Sequence, residues 1–163
     1  MEIQTILDLY SSSPHLGALL KTVDDDSIKT ISLRGLHASA IPVLFASMAD
    51  RLRRTCLFVL NDAEEAGYFY HDLTQMLGTA NVLFFPSAYR RQVKYGQRDA
   101  ANEILRTEVL SRLSAAASDG ACMSSLYVVT CPEAMSELVV SNKHLDDRTL
   151  PLRVGEEHDI VEI

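Results

Sequence analysis

The sequence predicts an α/β domain with three layers, a mostly parallel sheet carrying helices on both faces. Three observations predict it. Short apolar runs that read as buried strands recur along the chain, each closed by a turn residue. Longer stretches with apolar residues at helical spacing separate them. Strands that alternate with helices imply right-handed crossovers, and these lay the strands parallel. The composition suits such a core, with 163 residues, 47% hydrophobic and 23% charged.

In chain order, Ile3 to Tyr10 and Leu16 to Lys21 read as short helices, split by the breaker run Ser11-Ser12-Ser13-Pro14. The run Ile28 to Leu33, ending at Arg34-Gly35, reads as a buried strand. A helix follows, with Val43, Leu44, Ala46, Met48 and Leu52 on its apolar side. Cys56 to Leu60 is a second, wholly apolar strand. Asn61 or Asp62 caps the next helix, with Glu64 and Glu65 placed for a capping box. Ala66, Phe69, Tyr70, Leu73 and Leu77 share one face of that helix. Val82 to Phe85 is a third strand, stopped by Pro86. A long helix runs from about Asp99 to Ser118, with Ile104, Leu105, Val109, Leu113 and Ala116 inward, and Asp119-Gly120 ends it. Leu126 to Thr130 is a fourth strand and Pro132 to Val140 a short helix. Leu150, Leu152 and Val154 then alternate like an edge strand before the chain stops, which predicts a fragment of a longer protein.

The stretch Gly35-Leu36-His37-Ala38-Ser39-Ala40-Ile41-Pro42 sits where an α/β domain places a phosphate-binding loop. Such a loop needs G-x-x-x-x-G-K-[ST]: glycines close the backbone on the phosphates, Lys reaches the outer phosphates and the hydroxyl holds Mg²⁺. On that spacing Gly35 supplies the first glycine, Ala40 replaces the second, Ile41 the Lys and Pro42 the Ser/Thr. The cation and the metal ligand are both lost, so no cofactor is expected at Gly35, Ser39, Ala40, Ile41 and Pro42. An ordinary α/β turn into a helix started by proline explains the same residues.

Other chemistry is sparse. The segment from Ser87 to Arg98 carries Arg90, Arg91, Lys94 and Arg98 with no acidic residue, a candidate contact for phosphate or an acidic partner. The net charge of −7 argues against general nucleic-acid binding by this chain and makes a solvated loop the plainer account. Cys131 stands before a helix start, where a dipole lowers a thiol pKa, although a small buried hydrophobe is the plainer account and no His lies nearby in sequence. The five histidines show no ligand spacing, so no metal site is expected. His37 lies in the loop, where it reads as solvated. Three widely spaced cysteines without C-x-x-C fit a reducing cytoplasm. No apolar stretch approaches the roughly 20 residues of a membrane span.

The order of these features resembles the N-terminal module of the bacterial transcription-repair coupling factors, the Mfd family, which is itself similar to the excision-nuclease subunit UvrB. Leu33-Arg34-Gly35-Leu36 with Ser39-Ala40 carries the likeness in the loop. Leu57-Phe58-Val59-Leu60 follows, then Asp62, Glu65, Ala66, Asp72 and Leu73. Next come Phe85-Pro86-Ser87, Tyr95, Arg106 and Leu110 to Leu113. Val128-Val129-Thr130-Cys131-Pro132-Glu133-Ala134 and Leu152-Arg153-Val154-Gly155 complete it. The likeness spans about Ser32 to Gly155; order and spacing carry it, not any one motif. Cys131-Pro132 departs from the small polar and aliphatic pair usual in the family.

The resemblance implies a UvrB domain 1a-like fold with a degenerate P-loop, the NTPase loop of UvrB having decayed. It implies an α/β domain over residues 1–147 and the start of a second, UvrA-binding domain over 148–163. It further implies a non-catalytic part in transcription-coupled nucleotide excision repair: recruiting UvrA, mainly through that second domain, to stalled RNA polymerase. ATP, Mg²⁺, DNA translocation and contacts with RNA polymerase and DNA belong to other domains of the full-length protein. Two readings of other classes stand beside it: an anion- or nucleotide-binding enzyme domain using the Gly35 loop, and a thiol enzyme using Cys131.

Overall fold

The computed structural model describes residues 2–52, 54–89, 98–118, 125–141 and Gly155. Helices α1 (Ile3–Ser11), α2 (Pro14–Asp24) and α3 (Ala40–Met48) precede strand β1 (Cys56–Val59). Helix α4 (Ala63–Leu77), β2 (Val82–Phe85), α5 (Ala100–Ser118), β3 (Tyr127–Thr130) and α6 (Pro132–Met135) follow. The strands form a small open parallel sheet in the order β1-β3-β2. Cys56 and Val82 both align with Tyr127, and Val59 and Phe85 both align with Thr130. The arrangement is α/β.

Consecutive strand residues face opposite sides of a sheet, so Phe84 and Phe85 report which helix covers which face. Phe84 stacks on Tyr70 of α4 at 5.2 Å, and Phe58 on the same face packs against Phe69 of α4 and Phe45 of α3. Phe85 lies under the Arg106 guanidinium of α5, 4.1 Å from the ring centroid. Helices α3 and α4 therefore cover one face and α5 the other. The core between them gathers Leu73, Val82, Val109, Val128 and Val129, all nearly inaccessible to solvent. A smaller cluster of Leu16, Leu20, Met48 and Leu52 fastens α2 to α3.

Local chemistry explains the helix ends. Pro14 occupies the first turn of α2, where its missing N–H costs nothing, so α2 starts earlier than its apolar residues indicate. Asp62 caps α4 by accepting from the Glu65 N–H at 2.8 Å, and the Glu65 carboxylate reaches back to the Asn61 N–H at 3.1 Å. That is a variant of the capping box: Asp62 is the cap, and the Glu65 return bond lands on Asn61, one residue before it.

Three expectations are corrected. Ile28 to Leu33 is not a strand: it lies outside the sheet, with Ile28, Ile31 and Leu33 about two-fifths exposed. Among the described residues no backbone hydrogen bond ties 29–36 to the sheet. Lys29, Thr30 and Ser32 supply the reason, since half of this segment is polar and would need burial in a covered strand. Helix α6 ends at Met135 instead of Val140. Val139 and Val140 are poor helix formers, and the Glu137 side chain is held by Ser87 and Ala88. Within α5, Ile104 points outward at 69% exposure and Arg106 takes the inward place. The end of that helix at Asp119-Gly120, the division at 147/148 and the alternation at 150–154 lie outside the described residues.

Candidate functional site

The loop over residues 35–42 closes on itself. Gly35 takes φ +83°, which its missing Cβ permits, and Ala38 takes φ +47°, unusual for a residue with a side chain. The Ala40 N–H donates to the His37 carbonyl at 3.0 Å and the Ile41 N–H to the Ala38 carbonyl at 3.2 Å. Pro42, third in α3, has no N–H and is buried. A helix start holds an anion through free N–H groups. Here the first two are already bonded within the loop and the third does not exist.

The surroundings also disfavour phosphate. The Ser39 hydroxyl donates to the Asp72 carboxylate of α4 at 2.9 Å, which sets a negative charge at the mouth of the loop. A cleft of about 240 Å³ opens there, walled by Ile3, Leu7, Val43 and Met76 with Asp72 and Gln75 at its rim. It offers apolar walls, the Asp72 carboxylate and the His71 imidazole, with no Lys or Arg among its described lining residues to meet a polyphosphate. His37 is exposed, as its loop position predicts.

Of the basic cluster, Arg90, Arg91 and Lys94 lie outside the described residues. Arg98 is exposed and pairs with Glu103 at 2.9 Å, and that hydrogen bond raises its pKa further. A backbone bridge joins Arg98 to Tyr89. Arg98 is thus already matched by a carboxylate and offers little net positive charge.

Sequence reasoning missed a largely buried, heavily bonded polar pair, Arg106 and Glu137. Arg106 is 6% exposed, and its Nη1 donates to the Pro86 carbonyl at 2.8 Å and the Ala134 carbonyl at 3.2 Å. It also lies 3.2 Å from the Glu137 carboxylate. Glu137 further accepts from the Ser87 hydroxyl and from the Ala88 N–H at 2.9 Å. Asn102 Nδ2 donates to the Ser87 carbonyl at 2.8 Å. Arg106 Nη2 is buried and has no hydrogen-bond partner among the described residues. These groups lie just past the carboxyl ends of β2 and β3, the edge where open α/β sheets place their ligands. A groove of about 360 Å³ adjoins them, bounded by Tyr89, Arg98, Leu110, Leu138 and Val140. Among the described residues two arginines face two glutamates there, Arg98 with Glu103 and Arg106 with Glu137. The available signal was one of phase: Arg106 falls on the α5 stripe with Asn102, Val109 and Leu113, where a charge needs a buried partner.

Cys131 is 1% exposed and precedes a helix of only four residues, a poor setting for a reactive thiolate. Cys56 is partly buried, and burial pushes its thiol pKa up. Among the described residues no group of three His, Cys, Asp or Glu could hold a metal ion, and no helix is long and apolar enough to cross a membrane. Comparison with protein-family models, with curated protein sequences and with solved structures returns no match.

Proposed function

We propose that this chain is a non-catalytic, UvrB-like module of a bacterial transcription-repair coupling factor, with a degenerate P-loop and a cytoplasmic place of work. The observation that carries the reading is the start of α3. Ile41 and Pro42 stand where a nucleotide-binding loop has Lys and Ser/Thr, and the N–H groups of Ala40 and Ile41 are consumed within the loop. The ordered residues from Leu33 to Ala134 add the family resemblance. On this reading the module helps to recruit UvrA to stalled RNA polymerase, while ATP hydrolysis and DNA translocation reside in other domains. The same loop closure weighs against the alternative of an anion- or nucleotide-binding enzyme domain.

A pull-down with UvrA tests the proposal. Residues 1–163 should retain UvrA weakly or not at all, and a longer chain carrying the whole second domain should retain it measurably. Equal, strong retention by both would place the recruiting surface within 1–163. Retention by neither would remove the coupling-factor reading.

A further inference from the structure

Two stretches leave the sheet at the same edge. The turn Pro86–Tyr89 follows β2, and residues Met135–Ser141 follow β3 and α6. The second stretch displays Leu138 fully exposed, with Val139 and Val140 about half exposed. A single carboxylate joins the two, because Glu137 accepts from Ser87 and Ala88 on one side and meets Arg106 from α5 behind. Arg106 in turn donates to Pro86 on one stretch and Ala134 at the root of the other. The turn is tied to α5 as well, through Asn102 to the Ser87 carbonyl and the Asp99 N–H to the Ala88 carbonyl at 2.7 Å.

We propose that the Arg106–Glu137 pair acts as a clasp by which the Ser87–Tyr89 turn and the apolar strip Leu138–Val140 are held or released together. Its members share acceptors, so losing Glu137 leaves Ser87, Ala88 and Arg106 without their common partner at once. Buried charges deprived of a partner are costly, which favours opening as a unit over opening piece by piece. The unpartnered Arg106 Nη2 lowers the stability of the closed form relative to a fully bonded one. Motion imposed on the turn therefore reaches the strip through the bonds that Glu137 and Arg106 make to both stretches.

Amide hydrogen exchange on the whole chain tests this. The amides of Ala88 and Asp99 report the turn, those of Met135 and Ser136 report the root of the strip, and Leu73 and Val129 report global opening. The four clasp amides should exchange with one common opening free energy, smaller than the global value. Glu137→Gln should speed all four at least tenfold and leave Leu73 and Val129 unchanged. Ser87→Ala, altered only on the turn, should speed Met135 and Ser136 as well, and it carries the test if the Glu137 variant fails to fold. The proposal is overturned if Ser87→Ala changes the turn amides alone, or if the four amides exchange only with global unfolding.

Discussion

A few side chains at the start of α3 decide what the loop does. Ile41 and Pro42 carry neither a cation nor a hydroxyl at the start of α3, and Ser39 donates to the Asp72 carboxylate beside it. Mg·ATP should therefore bind no more tightly than about 100 μM, roughly 5.5 kcal/mol. Isothermal titration giving a lower dissociation constant would contradict the proposed function. Tyr127 offers a test by pH. Burial, together with the nearby Cys56 and Asp50, pushes its phenol up to about 12 from an ordinary value of 10. Because the folded pKa is the higher one, the stabilisation is complete below pH 10. It is lost as pH rises from 10 to 12, where the unfolded chain releases its proton first. Tyr127→Phe should flatten that alkaline decline in a urea-denaturation series, and an unchanged slope would assign it to other groups.

At the scale of elements, the capping box of α4 gives the clearest prediction. Asp62→Ala removes the acceptor for the Glu65 N–H and should cost about 1 kcal/mol by chemical denaturation. This box, the strand Val82–Phe85 and the helix Ala100–Ser118 were legible in the sequence because local chemistry alone specifies them. The segment Ile28 to Leu33 reads as a buried strand only if Lys29, Thr30 and Ser32 are discounted, and nothing local in the sequence shows that it has no strand to pair with. Helix α6 was overextended because its true end depends on Glu137 reaching Ser87, fifty positions away along the chain. The clasp itself escaped notice for the same reason. One residue of it shows in the phase of α5, but its partner shows only in three dimensions. At the loop, the turn into a helix carrying Pro42 in its first turn was legible, whereas the bonding of the Ala40 and Ile41 N–H groups and the contact with Asp72 were not.

The whole molecule turns on β3. Both other strands pair with it in parallel, whereas β1 and β2, consecutive in the chain, do not pair with each other. Cys56 and Val82 each wait for Tyr127. No local hairpin is available to start the sheet, and closing such long loops precedes any reward from pairing. Val129→Ala, in the middle of β3, should slow refolding in stopped-flow experiments, whereas Leu57→Ala at the half-exposed edge should chiefly alter unfolding. A chain leaving the ribosome meets the same constraint. Helices α1 to α4 have their residues early, but the apolar strands β1 and β2 remain without a partner until Thr130 has emerged. Until then the backbone edges of β1 and β2 lack a strand to pair with, and a chaperone covering those edges would serve the chain during that interval.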